Sequence, residues 1–286
     1  MLWITWLVVA VGVLAAVALG LAVYGNARWA ESTRKLLTLL EATRLVPTAS
    51  HYDARELEGL PAPIQRYFRA VLKDGQRLIT AATVEHTGTF NVSQAGEQWK
   101  SFTSQQRVVT RRPGFLWDAR LEIVPGLAVR VHDAYIDGEG MLRVAVLGLF
   151  AMADLHGPGD IAQGELMRFF AEAAWYPTAL LPSQGVRWEA VDDHSAKATL
   201  ADGILSVTML FSFNDASLLE SVRVEARGAT IGKRIVMIPW EARLSSYQER
   251  NGMRIPLTGE ASWLPPQGRR PYWRGTITSL AYEFCD

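Results

Sequence analysis

Cysteine is nearly absent from this 286-residue chain: Cys285 stands alone, so no internal disulfide can form and the fold must be held by its core. An excess of either charge is missing as well. The 29 Lys and Arg residues match 29 Asp and Glu, and no basic run interrupts the region after the first helix, so the electrostatic footprint of a nucleic-acid binder is lacking. No nucleic-acid partner is expected. The G-x-S-x-G elbow, the H-E-x-x-H helix, the P-loop and paired metal-ligand cysteines are all absent. The five histidines, His51, His86, His132, His156 and His194, are scattered, with no two at ligand spacing on one helix face. The sequence therefore assigns no catalytic residue, no metal ligand and no cofactor.

Charge is also missing from the whole stretch Leu2 to Tyr24, and this absence is constructive. At about 1.5 Å per residue such a run crosses a hydrocarbon core of roughly 30 Å. Trp3, Trp6 and Tyr24 mark its ends, where amphipathic rings favour the interface. A cleaved signal peptide would need a basic n-region and a small-residue cleavage site after the apolar run, and neither is found. Residues 2–24 thus read as a single-pass anchor. Arg28, Arg34, Lys35 and Arg44 follow the span, an asymmetry that leans towards a cytoplasmic domain without deciding the side, because large domains can be exported despite flanking charge.

From Arg28 to about Leu45, Leu36, Leu37, Leu39 and Leu40 predict a continuing amphipathic helix whose apolar stripe lies on the bilayer or on the domain. A linker from Val46 to Tyr52 leads to Asp53, a candidate cap, and a helix through Pro63 to Val71 that stops at Lys73-Asp74-Gly75. Beyond Gly75 the period becomes two. Val84, His86, Gly88 and Phe90 share one strand face; Phe115, Trp117, Ala119 and Leu121 share another; Val129, Val131, Asp133 and Tyr135 a third, with Arg130 and His132 on the wet side. Asp137-Gly138, Asp202-Gly203 and Asn251-Gly252 supply hairpin turns. One helix, Gly164 to Trp175, sets Glu165, Arg168 and Glu172 opposite Leu166, Phe169, Phe170 and Ala173.

The expected fold is α+β and mostly β: an N-terminal transmembrane helix, then a curved antiparallel sheet, a half-barrel, with helices on its concave face. The expected divisions are an anchor at 1–25, a juxtamembrane helix and linker at 26–52, and one β-rich domain at 53–286. His86 and Asp133 fall on apolar faces, where burial demands a partner, and they are expected to pair with each other or to anchor a ligand. The candidate ligand-binding set is His86, Phe90, Trp117, Asp133, Tyr135, Phe169, Trp175 and Phe211. The His132 to Gly140 stretch lacks the spacing of a calcium loop and reads as a turn. The apolar, proline-bounded segment Trp175 to Pro182 is expected near the mouth of a cavity.

Gly59-Leu60-Pro61-Ala62-Pro63-Ile64-Gln65-Arg66-Tyr67-Phe68, Gly164-Glu165-Leu166-Met167-Arg168-Phe169 and Trp175-Tyr176-Pro177-Thr178-Ala179-Leu180-Leu181-Pro182-Ser183 resemble the motifs of an uncharacterised bacterial membrane-associated family, a domain of unknown function, over roughly residues 55–284. The resemblance implies a half-barrel similar to bacterial lipoprotein carriers and a place in the bacterial cytoplasmic membrane. It implies no activity. The chain departs from those carriers in keeping a spanning helix. The leading expectation is a noncatalytic membrane-anchored module whose partner is a membrane lipid or other apolar small molecule. The alternatives are a hydrolase acting on a membrane-derived substrate and a scaffold for an unknown protein partner.

Overall fold

The sheet is antiparallel throughout and is built of two meanders: within each, a strand turns back on its predecessor through a short connection, while the segment that joins the two carries the helix at Asp160–Glu172. In the computed structural model, which describes residues 2–45, 47–93, 96–124, 127–231 and 234–285, thirteen strands form one sheet. Val46, where the expected linker begins, lies outside the described residues. The strands are β1 (Ile79–Asn91), β2 (Trp99–Val109), β3 (Gly114–Val124), β4 (Leu127–Ile136), β5 (Glu139–Val146), β6 (Phe150–Gly157), β7 (Arg187–Asp192), β8 (Ser195–Asp202), β9 (Leu205–Phe213), β10 (Leu219–Ile231), β11 (Arg234–Arg250), β12 (Met253–Trp263) and β13 (Arg270–Phe284). Their order runs β6-β5-β4-β3-β2-β1-β13-β12-β11-β10-β9-β8-β7, so the first and last strands of the chain meet in the middle of the sheet. Asp137 and Asn251 both take positive φ, followed by Gly138 and Gly252, as tight hairpins between twisted strands require.

Thirteen strands with one apolar face cannot stay flat in water, and the sheet curls around its helices. The Tyr135 hydroxyl on β4 donates to Asp202 at the end of β8, 2.8 Å away, although the two strands are nine places apart in the sheet. Inside the curve lie α2 (Ala62–Val71), α3 (Asp160–Glu172) and the short helical turns that follow α3. On α2, Pro at the first turn opens the helix and Ile64, Tyr67, Phe68 and Val71 are buried. The Trp175 to Leu181 segment is buried throughout, with Tyr176, Thr178, Leu180 and Leu181 fully enclosed. It is part of the core, not a rim, which corrects its expected place at a mouth. Three consecutive turns wind its backbone inward while Thr178 donates nothing to solvent and accepts from the Ile79 amide at 3.0 Å.

The outer face of the sheet is covered too, and by the N-terminal helix. α1 runs unbroken from Leu2 to Ala42, and its first half is long and apolar enough to cross a membrane, with its buried residues beginning only at Gly25. Its second half lies along β2, β3 and β4, where Leu36 and Leu40 pack on Ala81, Val109, Leu116 and Ala134. Of the two expected resting places for that apolar stripe, the domain is the one taken. The docking is polar as well as apolar. The Trp29 indole donates to Asp118 at 3.0 Å, Thr33 Oγ1 donates to the same carboxylate at 2.8 Å, and the Trp29 ring stacks on His132 at 3.9 Å. His132, expected on a wet face, is therefore fully buried. Farther along, Arg107 bonds Glu41 at 2.6 Å and Glu283 at 2.7 Å, and Arg44 also reaches Glu283, so charge closes the end of the contact.

At the start of the docked half, Gly25 lets the helix backbone rest on the β5–β6 turn: a Cβ there would collide with the carbonyl oxygen of Leu147. Overpacking a contact of this kind costs about 1–3 kcal/mol. Gly25→Ala is expected to lift the helix from the turn, raising hydrogen exchange at residues 147–149 and leaving β9 and β12 unchanged. Unaltered exchange at the turn would show that the contact does not hold the helix.

Candidate functional site

The amphipathic pattern of α3 is one that a surface helix would show, yet both of its faces are enclosed. Phe169 and Phe170 enter the apolar core, while Glu165, Arg168 and Glu172, at i, i+3 and i+7, point to the concave face of β2, β3 and β4. Six residues form a chain across this face. Arg168 binds Asp133 of β4 through Nη1 and Glu172 through Nε at 2.7 Å. Glu172 accepts from the Gln106 amide at 2.6 Å. On the far side of Asp133, Glu165 lies 3.8 Å from Arg227 of β10. Arg168 also sits 4.9 Å above the rings of both Phe115 and Trp117, and Arg227 lies 4.7 Å above Trp240. The network ties α3 to both wings of the curved sheet.

The charges balance only if one carboxyl is protonated. Burial, and then the negative charge of Asp133, push the Glu165 carboxyl well above the ordinary carboxylate range, against Arg227 and Arg168. A protonated Glu165 donates to Asp133, giving partners to Glu165 Oε2 and Asp133 Oδ1, which as two carboxylate oxygens have none. The remaining charges on Asp133, Glu172, Arg168 and Arg227 cancel. His86 is neutral for a different reason: burial, aided by the positive charge of Arg168, pushes it down to about 3.

Beside the network, several buried polar atoms have no hydrogen-bond partner: His86 Nε2, Gln106 Oε1, Trp117 Nε1 and Trp175 Nε1. His86 and Trp175 are neighbours, with ring centroids 4.9 Å apart. Trp273 lies next to both, 6.1 Å from His86 and 6.4 Å from Trp175, and it stacks down onto strands that carry Gly259 and Gly275, where a Cβ would meet its ring. From Trp273 a half-buried aromatic strip continues outward. Phe90 meets Tyr272 at 5.7 Å, and Tyr272 stacks on Trp263 at 5.7 Å. The strip ends where β1 and β12 end and β13 begins, which is the sheet end from which α1 leaves.

The structure brings His86, Trp117, Asp133 and Trp175 into this region and sets Phe90 on the aromatic strip. It does not join His86 to Asp133. Their strands are three places apart at about 4.8 Å each, and the register sets His86 beside Ser104 and Asp133 beside Trp117. Asp133 takes Arg168 instead. Tyr135, Phe169 and Phe211 are enclosed in the core, Phe211 against Phe170 and Trp188. Arg168, Glu172, Gln106, Arg227 and Trp273 were missed by sequence reasoning. The signal for the first two was present, since a helix with a charged stripe preceded and followed by apolar segments has little solvent to point it at.

Chemically, the arrangement offers hydrogen bonds and aromatic surface. Ser104 Oγ lies 3.4 Å from His86 Nδ1, but His86 Nε2 has no carboxylate to orient it and the ring is a weak base, so the pair is not set up to activate a nucleophile. Among the described residues, no group of three or more His, Cys, Asp or Glu side chains is placed to hold a metal ion. Two shallow hollows of about 390 and 520 Å³ lie elsewhere, one beside Arg66 and His194, the other on the outer face beside Arg243 and Glu260.

Comparison with solved structures finds matches at low identity. A LolA superfamily protein from Nitrosomonas europaea is 11% identical, with 77% of this chain and 92% of that one covered at a TM-score of 0.39. A β-barrel-like protein from Brucella abortus, of the domain of unknown function DUF1849, is 10% identical, with 72% and 99% covered at a TM-score of 0.23. No protein of curated function matches the sequence. The model of a family of unknown function, DUF6920, matches residues 58–282, which takes in the sheet from β1 to β13, both inner helices and the buried network, and the chain belongs to that family.

Proposed function

We propose that this protein is a single-pass, membrane-anchored, noncatalytic module that binds an apolar or amphipathic molecule along the aromatic strip of its concave face. His86, Phe90, Trp117, Asp133 and Trp175 belong to the proposed site, joined by Trp273; Tyr135, Phe169 and Phe211 shape it from behind. The observation that carries the reading is the run of half-buried rings leading to buried donors and acceptors without partners, an arrangement costly to a core that serves packing alone. Large ring faces suit a hydrocarbon, and the unpartnered indole N–H groups and imidazole nitrogen suit a hydrogen-bonding group attached to it.

Because the Arg168 network is already neutral with Glu165 protonated, that group is uncharged: a hydroxyl, an amide or an ester. Anchoring is supported by the exposed apolar half of α1 and by its helical continuity into the docked half, with no break at Gly25. It places the strip at the membrane-facing end of the sheet, where a local supply of lipid raises the effective ligand concentration. The scaffold alternative loses its expected docking loop, since Trp175 to Leu181 is buried. The membrane, its side and the ligand are all part of the proposal.

Two measurements test it. Full-length protein extracted in native lipid particles and then exchanged into detergent is expected to retain one lipid-like species on solvent extraction, and Trp175→Phe, which removes the indole N–H together with part of the ring, is expected to lower its occupancy several-fold while the variant stays folded. Equal retention by the variant, or no retained species in either protein, sinks the reading. The second concerns the proton on Glu165. A carboxyl whose folded pKa is raised stabilises the fold fully below its unfolded value and loses that contribution as pH rises towards the folded value. Glu165→Gln keeps a donor towards Asp133 and cannot ionise, so its melting temperature is expected to fall less between mildly acidic and mildly alkaline pH than that of the unmodified chain; equal slopes would mean that Glu165 is already charged.

A further inference from the structure

The β5–β6 hairpin carries an uncharged run, Val144 to Ala153, bounded by Arg143 and Asp154. Much of it is unusually open. Phe150 is 60% and Met152 68% exposed, on a strand that forms the free edge of the sheet. Apolar side chains on an unprotected edge are an association hazard in water, and edges are ordinarily blunted by charge or cover.

The position of this hairpin relative to α1 supplies a cover. The charge-free span ends at Tyr24, and the next residue, Gly25, is the one that rests on Leu147 and Leu149. One residue of helix rises about 1.5 Å, so the hairpin tip stands level with the end of the span. Just beyond it come the cations. Arg130 donates to Asn26 at 2.9 Å, and Arg120 and Arg130 face each other directly across β3 and β4 on the side where α1 docks. Like charges set opposite one another repel, and an anion between or beside them removes the cost. Exposed Arg28 lies on the same stretch of helix.

We propose that the β5–β6 hairpin is a membrane-contacting surface: Phe150 and Met152 enter the interfacial layer of the bilayer that α1 crosses, and Arg28, Arg120 and Arg130 meet anionic lipid headgroups. This rests on the anchoring reading above but not on ligand binding. Apolar rings and thioethers at the headgroup boundary, backed by cations, are what interfacial binding uses. The two contacts, span and hairpin, fix the tilt of the domain, because one point of attachment leaves it free to swing and a second does not.

The test uses the full chain in nanodiscs of phosphatidylcholine and phosphatidylglycerol, with Cys285→Ala as background and single probe sites Val13→Cys, Phe150→Cys, Met152→Cys and Ile204→Cys carrying a spin label. Ile204 is 99% exposed and apolar, and it follows Asp202, which bonds Tyr135 at the opposite end of β4, so it reports water. The expected result is an accessibility to lipid-dissolved oxygen over aqueous nickel that is several-fold higher at residues 13, 150 and 152 than at residue 204. Labels at 150 and 152 that match residue 204 while residue 13 reports lipid overturn the hairpin contact and leave the anchor standing. If residue 13 also reports water, the anchor fails and the hairpin contact falls with it.

Discussion

Arg168 is the charge that the inside of the sheet is built around. A guanidinium cannot shed its proton, so bringing it into the concave face requires carboxylates at both of its ends and aromatic rings beneath it. Glu172 on the same helix, Asp133 on β4, and the rings of Phe115 and Trp117 meet those requirements. Breaking such a pair from one side leaves a buried charge and costs about 3–5 kcal/mol. The position of α3 within the curve follows from this: Asp133 holds it to one wing, and the Glu165–Arg227 contact holds it to the other. Trp117 and His86, whose Nε1 and Nε2 have no partner, lie beside this guanidinium.

A second constraint acts on the other side of the sheet. Over β2, β3 and β4 the outer face carries Val109, Leu116 and Ala134, too apolar for water, and also His132 and Asp118, too polar for an ordinary core. The docked half of α1 satisfies both kinds, with Leu36 and Leu40 for the first and Trp29 and Thr33 for the second. Burial raises the Asp118 carboxyl, and the bonds from His132, Trp29 and Thr33 outweigh it and leave it below the usual range. The helix that carries the apolar span thereby continues without a break into the half that packs on the sheet.

Much of this was legible in order along the chain. The charge-free run, the strand periodicity after Gly75 and the Asp-Gly and Asn-Gly turns are local properties, set by transfer energies, side-chain alternation and backbone sterics, and the structure keeps them. His86, Trp117 and Asp133 were legible as candidates because a polar or aromatic residue on an apolar strand face is conspicuous without knowing its neighbours, and Trp175 because it opens an apolar segment bounded by proline. Their partners were not. Parity says which face a residue takes, but not which strand lies beside it, so His86 and Asp133 could be paired on paper while two strands lie between theirs.

What the sequence alone determined is therefore the class of each segment: an apolar span, an amphipathic continuation, two inner helices and a long antiparallel sheet with one apolar face. Tertiary structure alone decided which surfaces those segments cover. His132 looked wet until α1 lay over it, the Glu165-Arg168-Glu172 stripe looked like a solvent face until the sheet closed on it, and the Trp175 to Leu181 segment looked like a rim until it was folded inside. The physical reason is common to all three: burial depends on contacts between residues far apart in sequence, and a pattern of polarity records only that two faces differ, not what each of them meets.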